Sequence, residues 1–166
     1  EAFERTVRNA PEYHDPKVQL FENGFRMTYR SYFEFAARAP GDLFIVANSD
    51  IAFDETLSAI KKIDWTDTLV CLSRTELDGS PPEWTPGEYW ADNSQDAWMF
   101  RSPIRPFPCD WKLGTEGCDS ALAYEATRAG MRLLNPWHDV KAWHHPSSRV
   151  RRNLVRRAGH PDGPQF

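Results

Sequence analysis

The sequence predicts a single α/β domain in which a mostly parallel sheet is flanked by helices. Three observations carry that expectation. Leu43 to Ala47 and Thr68 to Leu72 are short, almost unbroken apolar runs, the pattern of strands buried on both faces inside a sheet. Between Met27 and Ala39, residues Tyr29, Tyr32, Phe33 and Ala36 recur at helical spacing, as on a helix that turns one face to a core. Strand-like and helix-like segments then alternate along most of the chain, which is the rhythm of parallel βαβ units.

Taken in order, Lys17 to Phe21 reads as a short strand, and the helix within Met27 to Ala39 stops at Pro40-Gly41, a pair that cannot continue it. The strand at 43 to 47 follows. A short helix is expected from Glu55 to Lys62, with Asp54 placed as its N-cap. The strand at Thr68 to Leu72 leads into a loop from Arg74 to Asn93, rich in Pro, Gly, Glu and Trp. Ala97 to Phe100 is the next strand, and Pro103 to Pro108 forms an irregular connection. A helix is expected from about Asp119 to a stop at Gly130. Met131 to Leu134 reads as a strand, and Val140 to Trp143 as a last one that delivers His144 and His145.

The chain has 166 residues, 40% hydrophobic and 27% charged, enough for one domain with a real core. No apolar run approaches the roughly 18 residues of a membrane span, and no signal peptide opens the chain, so a soluble, cytoplasmic protein is expected. The chain starts with Glu1 rather than Met, which fits a piece of a larger protein. Cys71, Cys109 and Cys118 are odd in number and lack close spacing, which argues against a disulfide framework or zinc knuckle.

Charge is distributed unevenly. Residues 1 to 100 hold 18 acids and 9 bases, and residues 101 to 166 hold 6 acids and 11 bases, giving −9 and +5. Arg149, Arg151, Arg152, Arg156 and Arg157 set apart a basic tail at 149 to 166 from a domain at 1 to 148. Such a tail could meet a diphosphate, a nucleic acid or an anionic membrane surface, or be a solvated helix face. No base-reading motif accompanies it, so sequence-specific nucleic-acid binding is not expected.

The chemistry-bearing residues gather where strands end. Asn48, Asp50 and Asp54 follow the apolar run at 43 to 47, and ligands of open α/β sheets lie beyond the carboxyl ends of strands. Their oxygens suit a hard cation bound with phosphate, although Asn-Ser-Asp is also ordinary turn chemistry. Asp96, just before the strand at 97, could bind an acceptor hydroxyl or merely lead the strand. Trp84 and Trp90 in the long loop offer flat rings to a sugar or base, or simply brace the loop. Asp119 at a helix start is either a functional carboxylate, kept at low pKa by the helix dipole, or a cap. His144 and His145 are either ligands or structural residues.

The order of these segments resembles the nucleotide-sugar glycosyltransferases of the GT-A fold. Arg26-Met27-Thr28-Tyr29 followed by Ala47 through Asp54 is similar to that family's approach to its Asp-x-Asp metal motif, with Asn48 replacing the first Asp. Gly117-Cys118-Asp119 through Gly130 is similar to its later acidic helix-start motif. The likeness covers roughly residues 17 to 145 and lies in order and spacing rather than in any one motif. Glu1 to Asp15 departs from it, offering no counterpart of the family's first, nucleotide-binding strand.

The resemblance implies a Rossmann-like GT-A domain that moves a sugar from a nucleotide-sugar donor to a carbohydrate or other hydroxyl acceptor, with inversion and with Mn²⁺ or Mg²⁺. It implies Asp119 as catalytic base, Asp50 and His144 at the metal, Arg26, Asn48, Asp50 and His145 at the donor, and Asp96, Trp84 and Trp90 at the acceptor. A non-catalytic carbohydrate- or partner-binding domain of the same fold, and a metal-dependent phosphotransferase or nuclease, are the rival classes.

Overall fold

The computed structural model describes residues 15–17, 19, 24–77, 79 and 95–145. Helix α1, Tyr29–Ala36, is opened by Thr28, whose hydroxyl accepts from the Ser31 backbone N–H. Its buried face is Tyr29, Phe33 and Ala36, the residues at i, i+4 and i+7. Strands β1 (Leu43–Ala47) and β2 (Ile51–Phe53) follow. A 3-10 helix at Glu55–Lys62 is capped by Asp54, which accepts from the Thr56 N–H at 2.9 Å. Strands β3 (Thr68–Leu72) and β4 (Ala97–Arg101), helix α2 (Cys118–Arg128), and strands β5 (Arg132–Leu134) and β6 (Ala142–His144) complete the order.

Among the described residues the strands form a four-stranded sheet, β1-β4-β3-β5, and a two-stranded sheet, β2-β6. The expected mostly parallel sheet is corrected here. β4 runs antiparallel to both β1 and β3, and only β3 and β5 are parallel. An apolar run looks the same in either direction, and the long connection before β4 leaves its direction free.

A second correction concerns 43 to 47. This strand is at the edge of the sheet among the described residues, with Ile45 37% exposed, whereas β3 is buried at all five positions. The expected strand at Lys17 to Phe21 and the loop residues Trp84 and Trp90 fall largely or wholly outside the described residues, as does the tail at 149 to 166.

Alternation along β3 and β4 divides the core between the two faces of the sheet. Leu69, Cys71, Trp98 and Phe100 pack with Tyr29 and Phe33 of α1 and with Leu122 and Ala126 of α2. Val70, Leu72, Ala97 and Met99 pack on the other side with Ile60 of the 3-10 helix, Val140 and Ala142. Aromatic edges lock the first layer. Trp98 meets Tyr29 edge-on at 4.9 Å, and Phe100 meets Phe33 edge-on at 4.9 Å, the arrangement aromatic rings prefer.

β2 escaped the sequence reading because three residues are too few to show a period. It exists by pairing with β6, in the register Ile51 to His144 and Phe53 to Ala142. Asp54 ties this small sheet to the 3-10 helix, because its carboxylate also accepts from the Trp143 indole N–H at 2.7 Å.

Phe100 is fully buried and central to this packing. Phe100→Ala should therefore destabilise the domain by about 3 to 5 kcal/mol, read by urea unfolding. A loss below about 1 kcal/mol would mean that the helix layer does not rest on β4 as described.

Candidate functional site

Register places the polar residues at one end of the main sheet. Ala47 at the end of β1 and Leu72 at the end of β3 both pair with Ala97 at the start of β4. Residues just past β1, just past β3 and just before β4 are therefore neighbours. Asn48, Arg74 and Asp96 come from these three places.

Asp96 is held by its backbone on both sides. Its N–H donates to Leu72 O at 3.0 Å, and its carbonyl accepts from Asn48 N–H at 2.9 Å. The residue is buried, 5% exposed. Oδ1 accepts from the Asn48 amide at 2.7 Å. Oδ2 is buried and, among the described residues, accepts no hydrogen bond, with the Arg74 guanidinium 3.8 Å away.

Asp119 reaches the same end from α2. The left-handed residue Gly117, at φ 75°, is the N-cap, so Asp119 lies in the first turn and is not the cap that its position suggested. Oδ1 accepts from the Ser120 N–H at 2.9 Å and Oδ2 from the Gln95 N–H at 3.4 Å. The expectation of a low pKa is also corrected. Burial pushes the Asp119 carboxyl above the ordinary 3.8 and the charge of Asp96 pushes it the same way, outweighing the backbone donors. Helix dipoles act within the first turn, but desolvation of a carboxylate is the larger force.

The small sheet brings in the remaining groups. Asp50 immediately precedes β2 and His144 ends β6, and the β2-β6 register sets them side by side, with His144 Nε2 3.4 Å from Asp50 Oδ2. On the other side of β6 the chain leaving β3 runs alongside. Thr75 N–H donates to Ala142 O at 2.7 Å, and His144 N–H donates to Thr75 O at 2.9 Å.

Arg74 and Glu76 flank Thr75, and the Glu76 carboxylate meets His144 Nδ1 at 3.0 Å and Arg74 Nε at 2.7 Å. Burial pushes the Glu76 carboxyl up, but hydrogen bonds from His144 and Arg74 outweigh it and hold the pKa below its ordinary value.

A polar chain therefore runs from Asn48 and Asp96 through Arg74 to Glu76, His144 and Asp50, and Asp119 joins it through the backbone N–H of Gln95, the residue before Asp96. Five of the residues singled out in the sequence, Asn48, Asp50, Asp96, Asp119 and His144, are in it. Two others are not. Arg26 is exposed and its guanidinium lies 3.4 Å from Gly114 O, while exposed His145 contributes a backbone N–H to Asp50 O at 2.8 Å.

Arg74 and Glu76 were missed because they open a segment that reads as loop. Their signal was the alternation of β3 carried four residues further, which puts both side chains on one side.

Among the described residues no group of three or more His, Cys, Asp or Glu side chains is arranged to hold an ion. Two can contribute. The 3.4 Å between Asp50 Oδ2 and His144 Nε2 is close to the roughly 3 Å that separates adjacent ligands lying about 2.1 Å from a hard divalent ion. Carboxylate and imidazole together suit Mn²⁺, and a two-ligand set is the kind that phosphate oxygens complete. No protein-family model, curated protein or solved structure matches the chain.

The Asn48 to Asp96 contact explains why an amide stands at this position. A second carboxylate 2.7 Å from Asp96 could not donate and would repel it. Asn48→Ala should cost about 1 to 3 kcal/mol, the loss of one donor to a buried acceptor. Asn48→Asp should cost more at neutral pH. Its folded carboxyl pair binds a proton more tightly than the unfolded chain does, so the penalty is full at high pH and shrinks as pH falls. Urea unfolding at about pH 8 and about pH 5 reads this difference. An Asn48→Asp penalty independent of pH contradicts the contact.

Proposed function

We propose that this end of the sheet is the centre of an inverting glycosyltransferase that moves a sugar from a nucleoside-diphosphate donor to an acceptor hydroxyl. The observation that carries the reading is the convergence of Asn48, Asp50, Asp96, Asp119 and His144, from four separate segments, at the carboxyl ends of β1 and β3. Among the described residues Asp96 Oδ2 is buried without a hydrogen bond, which leaves it an acceptor for a substrate hydroxyl.

Roles follow from the environment of each group. Asp119 is the base. Its pKa is raised by burial, which brings a carboxylate nearer to the range where it can both be ionised and accept a proton. Asp96 Oδ2 accepts from a neighbouring hydroxyl of the acceptor and so orients the attacking one, whose own proton faces Asp119. The acceptor oxygen then forms its bond to the anomeric carbon as the sugar-phosphate bond breaks on the opposite face. The hydroxyl proton passes to Asp119, and the nucleoside diphosphate leaves with the bonding electron pair.

Asp50 and His144 are the residues that would hold Mn²⁺ or Mg²⁺ beside the diphosphate. When bound, that ion supplies positive charge against the leaving group. Arg74 lies between Glu76 and Asp96 and keeps the acidic cluster from repelling an anionic donor.

Incubation with a panel of nucleotide sugars and Mn²⁺ should release nucleoside diphosphate from at least one. Asp119→Asn should fold, still bind that donor and lose transfer by about 10²-fold or more. Asp50→Ala should fold and lose Mn²⁺-dependent donor binding. Transfer at the parental rate by Asp119→Asn removes the base. Donor binding by Asp50→Ala that titrates with Mn²⁺ as in the parent removes the metal carboxylate.

A further inference from the structure

We infer that Glu76 is a positioning residue for His144, fixing which ring nitrogen is offered to a divalent ion at Asp50. The inference rests on the reading of Asp50 and His144 as metal ligands. His144 stands between two carboxylates, with Nδ1 3.0 Å from Glu76 Oε2 and Nε2 3.4 Å from Asp50 Oδ2. An imidazole can ligate a cation only through a nitrogen that carries a lone pair. The proton must then sit on the other one. Glu76 can only accept at Nδ1 when ionised, so it holds the proton there and leaves Nε2 open toward Asp50.

Glu76 is itself held. Arg74 donates to its other oxygen, Oε1, at 2.7 Å, and both side chains are largely buried, 13% and 23% exposed. The segment that carries them is fixed to β6 by the two backbone bonds around Thr75. Arg74, Glu76 and His144 therefore form a relay in which an arginine orients a carboxylate, the carboxylate orients an imidazole, and the imidazole would hold the ion with Asp50. An outer carboxylate of this kind ordinarily changes metal affinity by about 10- to 100-fold.

The test is a titration of the full chain with Mn²⁺ alone, followed by water-proton relaxation, for the parent and for Glu76→Ala, Glu76→Gln, His144→Ala and Asp50→Ala. Unfolding midpoints are measured alongside. Glu76→Ala should weaken Mn²⁺ binding by about 10-fold or more. Glu76→Gln should fall between it and the parent, because its amide carbonyl can still accept from Nδ1. If Glu76→Ala does not fold, any weakening in Glu76→Gln carries the same conclusion.

A purely structural Glu76 would lower the unfolding midpoint and leave Mn²⁺ affinity unchanged, which overturns the inference. If His144→Ala and Asp50→Ala lose Mn²⁺ while the Glu76 variants keep it, the positioning role alone fails and the metal site stands. If Asp50→Ala and His144→Ala bind as the parent does, or the parent binds no Mn²⁺, the metal reading fails and takes the inference with it.

Discussion

Everything at the polar end of this domain is arranged around a buried carboxylate whose main chain cannot move. Asp96 begins the central strand β4, and its backbone is claimed by β3 on one side and by Asn48 on the other. A carboxylate in that position is shielded from water. Burying it unpaired would cost several kcal/mol, so donors must be brought to it. Asn48 supplies one from the end of β1, and Arg74 brings positive charge from the end of β3. One oxygen remains without a hydrogen bond among the described residues. The same constraint raises the pKa of Asp119, because α2 sets a second carboxylate in the same poorly solvated corner.

The small sheet adds a second requirement. Asp50 and His144 are 94 positions apart in the chain and meet only because β2 and β6 pair in one register. A slip by one residue would turn His144 to the opposite face and separate it from both Asp50 and Glu76. Asp54 guards against this. Its carboxylate caps the 3-10 helix and also accepts from Trp143, fixing the residue next to His144. A residue with the look of a metal ligand thus acts on the site through register.

Much of the fold was legible because its signals are local. Tyr29, Phe33 and Ala36 announce their helix by spacing, Asp54 announces its cap, and the apolar runs at β3 and β4 announce strands. The failures share a physical cause in that they depend on partners distant in sequence. The direction of β4, the edge position of β1 and the existence of β2 are properties of pairing, which no single segment contains. The sign of the Asp119 shift was missed for the same reason, since the desolvation that outweighs the pull of a helix start on the carboxyl comes from neighbours distant in sequence. Of the site, Asn48, Asp50, Asp96, Asp119 and His144 could be found as polar residues at strand and helix ends, whereas Arg74 and Glu76 could be found only by following β3 past its apolar run.

Asp119 is where the packing account and the proposed chemistry make opposite demands on a simple cap, so its ionisation is the most direct test. Carbon-13 NMR titration of the Asp119 carboxyl in the free protein reads it without any substrate. The account predicts a midpoint above the ordinary 3.8, because burial and the neighbouring Asp96 both oppose the charge. A midpoint at or below 3.8 would show a well-solvated or dipole-stabilised carboxylate, and would contradict both the buried acidic corner and the base assigned to it.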